Sequence, residues 1–90
     1  MNKKTRAKIN YEKFMELELE FTRNLKFDEL KLSDLLKLNE IVNKMSMLII
    51  ENNHFDFYRD TKKFQRMMEI YKESNKLLNN ITDLYCLEEK

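Results

Sequence analysis

SDLLKLNEIVNKMSMLII, Ser33 to Ile50, is the stretch whose reading decides the fold. Leu35, Leu38, Val42, Met45 and Ile49 recur at alternating spacings of three and four, which puts them on one face of a helix. Leu36, Ile41 and Leu48 widen that face. Ser33 is a suitable N-cap, and Asp34 complements the helix dipole in the first turn. Asn52-Asn53 ends the pattern. In a chain without glycine, asparagine is the next best residue for a left-handed C-terminal cap. The pattern predicts a helix over 33–52.

On the N-terminal side, Tyr11, Phe14, Leu17, Phe21 and Leu25 give one apolar face, with Asn10 as N-cap and Glu12 in the first turn, so a helix is expected over 10–25. The stretch Lys26 to Leu32 is less regular, and Asp28 is a second candidate cap beside Ser33. On the C-terminal side, Phe57, Phe64, Tyr71, Leu78 and Tyr85 recur every seven residues. Met67 and Ile81 fill the paired heptad position, and Ile70, Leu77 and Leu84 lie alongside. This helix is expected over 56–87, starting near Asp56 or Asp60. Its repeat resembles coiled-coil packing, but Asp60, Ser74 and Glu88 interrupt the seam, as in a globular bundle rather than a zipper. The second and third helices should form an antiparallel hairpin, with the first packed across it. The fold class is therefore all-α: a three-helix bundle built on a long antiparallel helical hairpin, in one domain over 1–90, preceded by a basic N-terminal arm over 1–9. The apolar arcs are broad, so a homodimer is expected.

Composition agrees. The 90 residues hold no glycine and no proline, where ordinary usage would supply roughly ten. Tight turns between strands usually need them. Every glycine-rich phosphate loop is excluded as well, because only glycine permits its backbone conformations and close approaches. Charged residues make up 37% of the chain and hydrophobic residues 42%, too apolar for disorder and too charged for a membrane protein. The longest apolar run, Met47 to Ile50, is far too short to span a bilayer. The first residues carry no apolar segment of the kind a signal peptide needs. One cysteine, Cys86, gives no disulfide framework and suits a reducing compartment. A cytoplasmic location is the expectation.

Few constellations suit catalysis. His54, the one histidine, lies in the hairpin turn, and Cys86 stands at the far end of a helix of about 30 residues, roughly 45 Å away, which excludes a Cys-His pair within one chain. Glu51-Asn-Asn-His54 has the Glu-x-x-His spacing of di-iron bundles, but such a site needs two such motifs and further glutamates. One cysteine and one histidine exclude the usual zinc spacings. Glu12, Glu16 and Glu20 form a carboxylate stripe on one helix face, not a desolvated pocket. No catalytic residue, metal ligand or cofactor site is expected.

RDTKKFQR, Arg59 to Arg66, is more distinctive. Arg59, Lys62, Lys63 and Arg66 follow i, i+3, i+4, i+7 and would form one stripe at a helix start, where the dipole disfavours cations. The stripe is either solvated, or paired with the acidic stripe of the first helix, or a contact surface for a partner. Aromatic residues, methionine and arginine are the types enriched at interfaces. The heptad claims Phe57, Phe64 and Met67 for the core, leaving Phe55, Tyr58 and Met68 as exposed anchors. The functional expectation is a small non-catalytic cytosolic protein that docks on a larger protein through Tyr58, Arg59, Lys62, Lys63 and Arg66. Inhibitors, adaptors and regulators of phage or other mobile elements act in this way. A second expectation is a nucleic-acid-binding helical dimer that uses the same stripe with Lys3, Lys4, Arg6 and Lys8 of the basic arm. A third is a self-assembling coiled-coil subunit that binds nothing else.

Overall fold

The computed structural model describes residues 2–25 and 30–88. The candidate cap Asp28 lies outside them. Among the described residues four helices follow in chain order: α1 Lys3–Arg23, α2 Leu32–Asn53, α3 Asp56–Arg59 and α4 Lys62–Glu88. No strand occurs among the described residues. The helices pack as an all-α bundle. α1 runs antiparallel to α2, α4 returns antiparallel to α2, and α1 and α4 lie side by side in the same direction. The radius of gyration is 14.9 Å and the extents are 50 × 19 × 15 Å. A spherical domain of this length would have a radius near 12 Å, so the molecule is a rod.

α1 begins seven residues earlier than the sequence suggests. Asn2 is its N-cap, and Asn2 Oδ1 accepts the Thr5 N–H at 2.8 Å. Lys3 to Ile9 is therefore the first part of α1 rather than an arm. Nothing in that segment breaks a helix, and a second capping residue at position 2 was available. At the other end, the Asn24 side chain donates to Glu20 O at 2.8 Å. α2 also begins earlier, at Leu32 with Lys31 as N-cap. Asp34, not Ser33, closes that cap by accepting the Lys31 N–H at 3.2 Å.

The connection after α2 differs from a left-handed asparagine turn. No described residue has a positive φ. His54 remains right-handed, and extended Phe55 leads into the single turn of α3. The expected third helix is thus divided at Asp60-Thr61. Thr61 makes the division. Its hydroxyl donates to Tyr58 O at 2.7 Å and accepts the Phe64 N–H at 3.2 Å, so it closes one turn and caps the next helix. α4 then continues without interruption through Asn79-Asn80 to Glu88.

The core follows the expected apolar pattern except at three positions: Leu36, expected to widen the α2 face, is 61% exposed, and Phe57 and Leu84 also lie outside it. Phe14, Phe21, Leu35, Leu38, Val42, Met45, Ile49, Phe64, Met67, Leu78 and Ile81 are buried, and Tyr11, Leu17, Leu25, Tyr71 and Tyr85 pack partly against them. Phe57 is exposed, because the break at Thr61 takes it out of phase with α4. Leu84 is exposed because α4 overhangs the start of α2, whose Leu32 and Leu35 line a groove with Leu78 and Thr82.

Two asparagines read as a cap and a turn are core residues. Asn10 is 2% and Asn52 0% exposed. Each continues a seam: Ala7, Asn10, Phe14, Leu17, Phe21 on α1, and Met45, Ile49, Asn52 on α2. Asn10 Nδ2 donates to Asn52 Oδ1 at 2.9 Å, and Asn52 Nδ2 donates to Ala7 O at 3.2 Å. Asn52 Nδ2 and Tyr58 Oη–H both also point at Met67 Sδ, at 3.8 and 3.9 Å. No buried side-chain nitrogen or oxygen among the described residues lacks a partner. A polar pair at one level of an apolar seam fixes register, since any slip leaves both amides dry and unpaired.

Asn10→Leu leaves the Asn52 carbonyl oxygen without its donor. We expect a loss of about 1–3 kcal/mol, a fall in Tm on the order of 10 °C for a chain this short. The double variant N10L/N52L should be more stable than the sum of the single changes, because both polar groups leave together. Strictly additive losses in urea unfolding would show that the pair is not coupled.

Candidate interaction site

Antiparallel packing of α2 against α1 and α4 brings the start of α1, the end of α2, all of α3 and the start of α4 to one end of the rod. The two basic sets, 56 residues apart in their first members, Lys3 and Arg59, thereby meet. Residues 3–8 and 51–66 hold eight basic against three acidic side chains, leaving nine basic against 13 acidic elsewhere. This end carries +5 and the remainder −4. The sequence read these as alternative or auxiliary sites, whereas the fold makes them one electrostatic region.

The eight cations differ in how far they are engaged. The Arg6 guanidinium makes a two-pronged ion pair with Glu51, through Nε to Oε1 and through Nη2 to Oε2 at 3.3 Å. This pair flanks the Asn10–Asn52 contact. The Arg6 bond first, then the Asn10 amide, holds the Glu51 carboxyl below its ordinary value. The same pairing raises Arg6. Arg59 pairs with Asp56 within α3. Lys63 faces α1, where its Nζ lies 5.2 Å from the centre of the Tyr11 ring. The stripe expected from Arg59 to Arg66 is therefore divided between two helices and two directions. Lys3, Lys4, Lys8, Lys62 and Arg66 are exposed, and none makes an ion pair among the described residues.

The acidic stripe of α1 does not meet the basic stripe. α1 and α4 run in the same direction, so Arg59 to Arg66 lies level with Ala7 to Tyr11, below Glu12, Glu16 and Glu20. Glu20 instead pairs with Lys37 of α2 at 3.1 Å, and this contact raises Lys37. Glu40 pairs with Lys44 along α2 at 3.1 Å, which lowers the Glu40 carboxyl.

Tyr58 is not an exposed anchor. It is 7% exposed and packs edge-on against Phe64 with ring centres 6.0 Å apart. Burial pushes its hydroxyl pKa up to about 12. Phe57 takes the outward position instead, stacked on Phe55 with ring centres 5.9 Å apart and planes 8° from parallel. Phe57 and Met68 are each 45% exposed. The sequence missed Phe57 because a seven-residue repeat read straight through Thr61. The capping oxygen of Thr61, three residues before Phe64, is the signal that would have separated the two helices. The outward side chains at this end are therefore Phe57, Arg59, Lys62 and Arg66, with Phe55 half-buried beneath Phe57, Tyr58 buried, and Lys63 exposed over the Tyr11 ring.

His54 ends α2 beside this region, while the exposed Cys86 sits near the far end of α4. Among the described residues, no group of three or more His, Cys, Asp or Glu side chains is placed to hold a metal. Among the described residues, no helix is long and apolar enough to cross a membrane. An open groove of about 370 Å³ lies between α1 and α2. Comparison with protein-family models, with curated proteins and with solved structures found no match.

Two titrations report on this geometry. Glu51 is depressed in the folded state, so its stabilising contribution is present above the ordinary carboxylate pKa near 4.5 and is lost as pH falls through the depressed value. E51Q should flatten the acid limb of the stability profile and reduce stability at pH 7, measured by urea unfolding from pH 3 to 7. Tyr58 is raised, so its contribution is complete below pH 10 and is lost as pH rises through about 12. Y58F should remove a late step from the phenolate absorbance titration. A titration unchanged by Y58F would contradict the burial of Tyr58.

Proposed function

We propose that the chain is a non-catalytic protein-binding module. Its basic end docks on an acidic surface of a larger protein, as an inhibitor, adaptor or regulator does. The observation that carries this reading is the conjunction of an outward Phe57, stacked on Phe55, with Lys62 and Arg66, two exposed cations that no carboxylate among the described residues pairs. An aromatic side chain supplies contact area at low entropic cost, and unpaired cations lose little when an acidic partner approaches. Cations in the first turns of α4 also work against the helix dipole. Their placement costs the isolated chain some stability, and a bound carboxylate surface offsets that cost.

A second reading has one observation in its favour. The gathering of Lys3, Lys4 and Lys8 beside Lys62 and Arg66 enlarges the footprint available to a phosphate backbone. Against it, Glu51, Asp56 and Asp60 lie inside the same region, and Arg6 is already engaged by Glu51. Interspersed carboxylates fit a protein surface of mixed charge better than a polyanion.

The double variant K62E/R66E tests both. Neither side chain makes an ion pair among the described residues, so helicity and Tm should stay within experimental error of the parent. A protein partner retained by the tagged parent from nuclease-treated lysate should be absent with the variant. Binding that disappears on nuclease treatment, and that weakens steeply from about 50 to 200 mM salt, would favour nucleic acid. Loss of helicity in the variant would show that the two cations are structural.

A further inference from the structure

α2 has a second face that the bundle leaves open. Leu32, Leu36, Asn39, Asn43, Met47 and Ile50 fall on one outward arc, at spacings of three and four, opposite the buried seam. All six are exposed, with Leu32 56%, Leu36 61%, Met47 68% and Ile50 59% accessible. Ser46, between Asn43 and Met47, completes the arc. The arc carries no charged residue in a chain that is 37% charged. Solvated helix faces are normally covered by Lys and Glu, and exposed apolar residues grouped at both ends of an uncharged stripe mark a surface that meets another protein.

The order of residues along the arc indicates which protein. About a centre at Ile41, the stripe is self-complementary when read in opposite directions. Leu32 falls opposite Ile50, Leu36 opposite Ser46 with Met47 beside it, and Asn39 opposite Asn43. An isologous interface requires this property, because each contact must occur twice about a two-fold axis. The charged margin obeys the same symmetry. Glu40 and Lys44 lie along the edge of the arc that faces α1 and pair with each other at 3.1 Å. In an antiparallel pair of α2 helices, each Glu40 approaches the Lys44 of the other copy. In a parallel two-fold pair this edge would instead lie against the opposite edge of the other helix, where Ser46 stands and no charge answers it.

We propose that the outer face of α2 binds a second copy of this chain, antiparallel, with Asn39 and Asn43 forming amide pairs across the two-fold axis. The stripe is about 27 Å long and about 10 Å wide at helical dimensions. With its margins it would bury on the order of 600 Å² per copy, the low edge of specific interfaces. Association is therefore expected in the micromolar range and should depend visibly on concentration. The proposal uses a surface separate from the basic end, so K62E/R66E should leave it unchanged.

Sedimentation velocity from about 5 to 500 μM tests the state directly. The parent should shift from monomer to dimer across that range. L36E/M47E, which alters two side chains that are mostly exposed in the monomer, should sediment as monomer throughout with unchanged helicity. A parent that stays monomeric at 500 μM, or a dimer that L36E/M47E leaves intact, overturns the proposal. Orientation is read in a C86S background. N39C mixed with N43C should give chiefly the mixed disulfide on oxidation, whereas predominance of N39C–N39C and N43C–N43C products would indicate parallel packing and overturn the antiparallel assignment. The charge margin gives an independent check. E40K should weaken the dimer at least several-fold, and E40K/K44E should restore it.

Discussion

The buried amide pair of Asn10 and Asn52 is the constraint on which the arrangement of the helices depends. Heptad seams alone leave a bundle free to slip by one repeat, since leucine packs against leucine at every level. Here the seam of α1 and the seam of α2 each contain one asparagine, and the two meet at 2.9 Å in a region from which water is excluded. A slip in either direction would leave both amides facing aliphatic carbon, at about 1–3 kcal/mol for each unpaired group. The pair thus sets which end of α1 lies beside which end of α2. The Asn52 Nδ2 group, which donates to Ala7 O and to Met67 Sδ, extends the same level to α4.

From that level the surface electrostatics follow. Register places Arg6 beside Glu51 and Tyr11 beside Lys63, and so places the basic start of α1 next to the basic start of α4. Two clusters far apart in the chain become one charged end because a buried contact aligns their helices. The acidic stripe of α1 is displaced along the rod by the same alignment. It reaches Lys37 and not the cations of α4. The charge asymmetry of the molecule is a consequence of core register.

Much of the fold was legible in the sequence, and the parts that were not share a cause. The three long helices, their antiparallel order and nearly all of the core follow from apolar spacing, which reports burial directly. Local polar residues were ambiguous, since asparagine serves equally as cap, turn and buried hydrogen-bonding partner. Asn10 and Asn52 were assigned to the first two uses and belong to the third. Continuation of the three-four spacing through both positions was the available clue. Thr61 posed the reverse difficulty: a single hydroxyl interrupts a heptad that looks continuous from Phe57 to Tyr85, exchanging the roles of Phe57 and Tyr58. The basic set near Arg59 was visible as residue types. Its division between α3 and α4, and its union with Lys3, Lys4 and Lys8, required tertiary contacts that no local pattern encodes.

The two proposed surfaces constrain each other. The outer arc of α2 is centred near Ile41, whereas the basic end lies beyond Asn53, so the two occupy different parts of the rod and can be filled together. In an antiparallel pair the basic ends point in opposite directions. At 1.5 Å per residue, each would lie about 20 Å from the two-fold axis, giving two docking ends about 40 Å apart. Such a dimer cannot place both ends on one small acidic patch. It can bridge two copies of a partner, or two repeats of one large partner whose spacing matches that length, and gain avidity without any new contact. The same separation keeps the like-charged ends well beyond a Debye length of about 8–10 Å at physiological salt. Repulsion between them therefore does not oppose pairing through α2.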